Sequence, residues 1–254
     1  MKTSGNAVRE QTPPPIASRP AWTPSVKPLP HVSLGQFIVS SLRESIVNGI
    51  LLPGQQLKQD MIGADFNVSP APVREALRQL ESEGLVEHFP NRGVFVSNIR
   101  EDEVLNLLLP IRLVIENYAL QQVAGRLESD LAHRLHEQIE IMQQAADAGD
   151  VARINSADAR FHELAVEASG SAQAVQLWHS ISPRVRLQFS QLTPRQTDLH
   201  HVAEEHRELL SLLHEGDEGK LYSVLKEHIV GISVRLMGRE EEAPIIEGDG
   251  MPST

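Results

Sequence analysis

From Ser33 onward, the apolar residues Leu34, Phe37, Ile38, Leu42 and Ile46 recur at the 3.6-residue spacing of a helix, which Asn48-Gly49 and the Leu52-Pro53-Gly54 turn bring to an end. A second helix is expected from about Gln59 to Phe66. Asn67-Val68-Ser69 then turns the chain into a third, from about Pro70 to Ser82. In that third helix Val73, Ala76, Leu77 and Leu80 form one stripe for a core. Ser69 stands at the N-cap, and Pro70 and Pro72 fall in the first turn, whose N–H groups lack intrahelical acceptors anyway. Two short β-branched or aromatic segments, Leu85 to Phe89 and Val94 to Ser97, flank Pro90-Asn91-Arg92-Gly93, the signature of a hairpin. Three helices and a hairpin over residues 33–99 predict a winged helix-turn-helix.

After Ile99 the pattern becomes long, Leu-rich and Glu-rich helical segments without a strand signal. They break near Gly125–Ser129, Gly149-Asp150, Ser169-Gly170, Thr193–Gln196 and Gly216-Asp217. Residues 100–238 are therefore expected to form an all-helical antiparallel bundle of about six helices, and the fold class is mainly α. Pro110, inside the first of these helices, is expected to kink or split it at Leu109. Seven of the sixteen prolines fall in residues 1–30, so residues 1–32 are read as a disordered tail, and residues 239–254 as another.

Composition supports helices: ten of 254 residues are aromatic, which leaves core filling to Leu, Ile, Val and Ala rather than to a β-sandwich interior. The absence of cysteine excludes a disulfide framework, thiolate catalysis, Fe–S clusters and Cys-ligated zinc, so any metal must use histidine and carboxylate. No apolar run approaches the ~18 residues of a membrane helix and no signal-peptide stretch opens the chain, so the expectation is a cytoplasmic protein with no membrane partner. The net charge of −11 is unevenly spread: +3 over residues 1–30, −1 over 31–100 and −13 over 101–254. Contact with DNA must then be local, because sequence-independent affinity comes from cations on phosphates.

Such a local contact is available on the third helix, where Arg74 and Arg78 lie one turn apart beside the helix N-terminus. On an isolated helix these would be ordinary surface arginines, but a helix and a turn precede them and a hairpin follows. The stretch Ser69 to Leu85 (SPAPVREALRQLESEGL), with Gly49-Ile50-Leu51-Leu52-Pro53-Gly54 before it and Asn91-Arg92-Gly93-Val94-Phe95-Val96 after it, resembles the DNA-binding domain of GntR-family bacterial regulators. The resemblance covers about residues 33–99. It implies that Ser69, Pro70, Ala71, Pro72, Arg74, Arg92 and Gly93 touch operator DNA, with Arg78 beside them on the helix flank. This chain has Pro70 where the family usually has Arg, which removes a candidate bidentate guanine contact, and Ala71 where it often has Thr.

Eleven histidines raise the question of metal. His133, His136, His200 and His201 lie off the apolar stripes and read as surface residues. His206 sits among Val202, Leu209, Leu210 and Leu213, and His228 among Leu221, Val224, Leu225 and Ile232. Asp158 and His162 share one side of a third helix, at i and i+4. Spacing alone leaves two readings open: core histidines satisfied by carbonyls, or one divalent ion on three helices. Asp158-Ala159-Arg160-Phe161-His162, Glu205-His206-Arg207, Lys226-Glu227-His228-Ile229 and Ile111-Arg112-Leu113-Val114-Ile115-Glu116 are similar to the effector domain of the FadR-type subfamily of GntR regulators. That resemblance extends to about residues 33–238. It implies Asp158, His162, His206 and His228 as ligands of zinc, nickel or manganese, and Arg112 as a partner of a small carboxylate effector beside the metal. It departs from the subfamily in having Ser171, not Asn, after Gly170. Arg184 and Arg186 read either as a surface pair or as a second clamp on the effector.

The expected function is that of a ligand-responsive transcription regulator, a repressor, which binds a palindromic operator as a homodimer and carries no catalytic residues. The rival is a metal-dependent hydrolase with an accessory helix-turn-helix; a third reading makes the metal a structural staple. The complete DNA-reading module, and the lack of a general base in the motif segments, favour the regulator.

Overall fold

A computed structural model describes residues 33–239; the tails expected over 1–32 and 239–254 lie outside the described residues, apart from Arg239. Helix α1 (Leu34–Val47) opens with a reciprocal cap. The Ser33 hydroxyl accepts the Gln36 N–H at 3.2 Å, and the Gln36 side chain accepts the Ser33 N–H at 3.3 Å. There follow strand β1 (Gln56–Leu57), helices α2 (Gln59–Phe66) and α3 (Pro70–Ser82), and the hairpin β2 (Val86–Phe89) and β3 (Gly93–Val96). The strands form one antiparallel sheet in the order β1-β3-β2, with Gln56 opposite Phe95 and Phe89 opposite Gly93. Strand β1 was not visible in the sequence. Two residues are too few to show alternation, and their extended conformation comes from pairing with β3.

Ser69 occupies the N-cap of α3 but its hydroxyl makes no cap hydrogen bond. Of the two N–H groups that an N-cap side chain can accept, those of the second and third helical residues, Pro72 removes the third and leaves that of Ala71. Beneath α3, Val73, Ala76, Leu77 and Leu80 join Ile38, Ile46, Leu85 and Val96 in an apolar core.

Helix α4 (Glu101–Glu103), a π-helical turn (Val104–Leu108) and α5 (Leu109–Val123) run into one another without a break. The split expected at Leu109 is absent because the wider π turn directly before Pro110 changes the carbonyl register that the proline ring and its missing N–H would otherwise disrupt. Then come α6 (Ser129–Ala148), α7 (Val151–Ala168), α8 (Ala172–Leu192), a 3₁₀ turn (Thr193–Arg195) and α9 (His200–Glu215). A last continuous helix is made of α10 (Glu218–Lys226), a second π turn (Glu227–Gly231) and α11 (Ile232–Leu236). The described residues thus hold six long helices after the wing. Helix α6 packs on α7 and α9, and α7 on α5 and α8.

Helix α8 belongs to both halves of the molecule. Trp178, Ile181 and Val185 pack against Leu108, Ile115 and Ala119 of the first bundle helix, whereas Leu187 is buried within the core of the winged helix. Among the described residues no helix is long and apolar enough to cross a membrane.

Candidate metal centre and nucleic-acid interface

The residues expected at DNA lie on the outside of the winged helix. Ser69, Pro70, Ala71, Arg74, Arg78 and Arg92 are exposed, and Pro72 and Gly93 half-buried. Burial of Val73, Ala76 and Leu77 decides this, because it turns the opposite flank of α3 to solvent. Pairing separates the arginines of this domain into two kinds. Arg43 is held by Glu83 at 2.6 Å, while among the described residues Arg74, Arg78 and Arg92 make no ion pair. Their charge is available to phosphates and base edges.

The second site is interior. Asp150 caps α7 by accepting the Arg153 N–H at 3.0 Å, and the register that follows turns Asp158 and His162 inward together. Helix α9 brings in His206, and the π turn of the last helix brings in His228. All four residues are buried, and one ligand atom from each lies within 4.8 Å of all the others. His162 Nε2 is 3.1 Å from His228 Nε2 and 3.2 Å from His206 Nε2. Asp158 Oδ1 lies 3.3 Å from His206 Nε2, and 3.9 Å from each of the other two.

What lies behind the rings determines what they can do. His206 Nδ1 is 2.7 Å from the Val202 carbonyl, which only accepts, so Nδ1 carries the proton. His162 Nδ1 is 2.6 Å from Glu116 Oε2, and His228 Nδ1 is 3.0 Å from Glu205 Oε2. With His206 and His228 each hydrogen-bonded through Nδ1 and His162 Nδ1 in 2.6 Å contact with the Glu116 carboxylate, the three Nε2 atoms turn toward one another across about hydrogen-bond distance. That is unfavourable without a cation in their midst, and it is the ring orientation that outer-sphere acceptors impose on metal-binding histidines. Asp158 adds a negative charge, and its second oxygen has no hydrogen-bond partner. The donor set, three imidazole nitrogens and one carboxylate, fits a borderline divalent ion.

Charge in this interior is balanced locally. Burial pushes the Asp158 carboxyl upward, but the His206 ring 3.3 Å away and the nearby His162 and Arg112 outweigh it and hold the group below the usual carboxylate range. Burial acts likewise on Glu116, where Arg112 and His162 prevail and leave it at about 2. Glu205 is pushed up to about 7 by burial, which His201 and His206 only partly offset. Burial also drives His228 well below its ordinary value, with His206 and His162 acting in the same direction.

Arg112 is fully buried; its Nε donates to Glu116 and its guanidinium lies 4.7 Å from the Phe189 ring centre. Both terminal nitrogens lack acceptors. Arg184 and Arg186 go elsewhere, which corrects the expectation of a second clamp. Arg186 makes a two-pronged pair with Glu44 of α1 at 3.0 and 3.1 Å. Arg184 donates to the Ser180 carbonyl at 3.1 Å and lies against Gly84, where a Cβ would come within 2.1 Å of its Nε. Beyond Leu187 the helix surface that faces the cluster belongs to Phe189 and Leu192, so both arginines project toward the winged helix. Sequence reasoning missed Glu116 and Glu205 as neighbours behind the clustered histidines. The signal for Glu116 was its i, i+4 relation to Arg112; for Glu205, which acts on a histidine of another helix, there was none.

Residues 34–96 match the profile of the gntR family of bacterial regulatory proteins, and residues 107–231 match the FCD domain. The chain is 28% identical over 200 residues to a probable D-xylose utilization operon transcriptional repressor of Paenarthrobacter nicotinovorans, a match covering 76% of this chain and 85% of that one. It is 26% identical over 211 residues to the HTH-type transcriptional repressor RspR of Escherichia coli (strain K12), covering 80% and 89%. The fold is also that of a GntR protein from Rhodococcus sp. RHA1, whose crystal structure superposes with a TM-score of 0.70 at 24% identity over 83% of this chain and 100% of that one. With a winged helix whose outward arginines are unpaired, followed by an FCD domain, the chain belongs to the GntR family of bacterial transcription regulators, which bind DNA.

Proposed function

We propose that this chain is a cytoplasmic, ligand-responsive repressor. Residues 33–99 bind operator DNA; residues 100–238 bind one divalent ion through Asp158, His162, His206 and His228, together with a small carboxylate. The convergence of three imidazole Nε2 atoms on Asp158, each ring oriented from behind by an acceptor, is the observation that carries the metal reading. Repression comes from the names of the two relatives. A carboxylate effector would supply acceptors to the two free nitrogens of Arg112, and Phe189, which lies under Arg112, also lines the cavity beside Asp158 and His228. Helix α8 is the physical link: its C-terminal turns line that cavity through Phe189 and Leu192, while Leu187 and Arg186 hold the winged helix.

A second copy of the chain fits the outer face of the first bundle helix, where Leu107, Ile111, Val114 and Tyr118 form an exposed apolar stripe at helical spacing. A homodimer joined there would meet a palindromic operator with two winged helices. One observation favours a purely structural metal: the cavity beside the cluster measures about 30 Å³, room for a water but not for an organic acid. Effector entry therefore requires part of the cavity wall to move.

The test is a thermal-shift screen of small carboxylic acids on protein stripped of metal and reloaded with zinc, nickel or manganese. A metal-dependent rise with one acid is expected. A rise with metal alone, and with no acid, sinks the effector and leaves the staple. Protein purified without metal and indifferent to all three ions sinks the metal centre.

A further inference from the structure

The wing carries an arrangement that neither the core nor the fold requires. In the β2–β3 hairpin, Val86, Val94 and Val96 point into the apolar core. The opposite face of the sheet carries Phe89 and Phe95, two aromatic side chains turned away from that core. Their rings meet edge to face at 5.6 Å between centres. Phe89 remains 37% exposed. Arg92, at the tip of the turn, lies over both rings, its guanidinium carbon 5.3 Å from the centre of Phe89 and 5.6 Å from that of Phe95. Glu87 shares this face, yet Arg92 makes no ion pair with it or with any other described residue.

The backbone of the tip is held as well. Gln56 of β1, opposite Phe95, donates from its side-chain amide to the Arg92 carbonyl at 2.8 Å. This carbonyl lies beyond the paired residues, so the bond extends the sheet's grip by one step into the turn. Gly93 makes room for it: its φ is +99°, which disfavours any residue with a Cβ, and a Cβ there would stand 3.1 Å from the Gln56 amide nitrogen. Asn91, at φ +62°, completes the tight turn that aims Arg92 outward.

We propose that Gln56, Phe89 and Phe95 are positioning residues that pre-order the wing, holding Arg92 as an unneutralised cation for the minor groove beside the recognition helix. An exposed arginine normally samples many rotamers, and ordering them on binding costs affinity. A guanidinium laid on two aromatic rings, with its carbonyl tethered by Gln56, has met much of that cost before DNA arrives. It is also partly dehydrated on one face, as suits entry into a narrow groove of strong negative potential. Lysine would not substitute, since its compact ammonium is strongly hydrated and does not stack. This inference rests on the DNA-binding reading of residues 33–99.

The experiment uses the full chain, and as probe a duplex enriched by the wild-type protein from a random-sequence pool. Gln56 is exposed and Gln56→Ala leaves the β1–β3 pairing intact, so it should fold with an unchanged melting temperature. It is expected to weaken binding roughly fivefold, the worth of one hydrogen bond, and to lose hydroxyl-radical protection in the minor groove on the wing side. Protection of guanine N7 in the major groove should persist. Phe95→Leu and Arg92→Lys should reproduce the same selective loss. Affinity within about twofold of wild type and intact wing-side protection for Gln56→Ala and Arg92→Lys would overturn the proposal. The underlying reading is tested separately: if Arg74→Ala binds like wild type, the docking of α3 assigned here is wrong, and if no duplex is enriched at all, DNA recognition by this domain is wrong.

Discussion

The winged helix and the helical domain solve opposite problems with charge. In the first, the interior is almost wholly apolar, with Ser45 and Ser97 its buried polar residues among the described set, and the arginines expected to act stand outside with no ion pair among the described residues. In the second, the expected residues are inside. Arg112, Glu116, Asp158, His162, His206 and His228 are all buried, and most of their polar atoms face one another. A surface site of the first kind depends on presentation and costs the fold little. An interior site of the second kind has to satisfy every charge it buries, so ligand and fold are no longer separable. The same residue type illustrates this: Arg74 can be lost without consequence for the core, whereas Arg112 cannot.

The contrast is broken most directly at the buried pair. Glu116→Ala leaves the Arg112 guanidinium buried without its counter-charge, and His162 without the acceptor that orients it. A loss of about 3–5 kcal/mol in unfolding free energy is expected by denaturant titration. Arg112→Ala should cost a similar amount, so loss of effector response in that variant has to be judged at matched stability. A loss near zero for Glu116→Ala would mean that the interior charges are not locked together. Metal removal comes next: at an ion concentration about a thousand times the dissociation constant, chelation should withdraw about 4 kcal/mol of stability, seen as a fall in melting temperature. The effect should fade as the pH falls into the acid range, because imidazoles must be neutral to bind metal and protons compete for the same lone pairs. Stabilisation is thus present at neutral and higher pH and is lost as pH falls.

Leu187→Ala sharpens the comparison by removing a bundle residue from the winged-helix core. It should cost about 2–5 kcal/mol and raise hydrogen exchange in α1 and α3 more than in α6 and α7; uniform change would mean that the two cores unfold as one. Arg74→Ala should weaken operator binding by about 1–3 kcal/mol in a binding titration while leaving the melting temperature unchanged. Only a small effect on stability is expected at Arg186→Ala, under about 1 kcal/mol, because Glu44 is half exposed to solvent. Its informative readout is the difference in operator affinity between metal-loaded and metal-stripped protein, which should shrink if α8 joins the two regions.

Much of this was decided by local pattern. The apolar periods of α1, α2 and α3, the Pro90-Asn91-Arg92-Gly93 turn and the glycine breaks of the bundle act within a few residues of themselves, so the elements and their inward faces could be read directly. The inward faces of His206 and His228, and the shared side of Asp158 and His162, were legible for the same reason: helical periodicity assigns a face to every position. What periodicity cannot assign is the partner across the gap. Tertiary packing alone placed Glu116 and Glu205 behind clustered histidines of other helices, created β1 by pairing two residues with β3, and seated Leu187 in the winged-helix core. It also sent Arg184 and Arg186 away from the cluster: α8 passes between the two cores, and the face of a helix that meets either neighbour depends on how the helices are arranged in space, a quantity the order of residues along one helix does not contain.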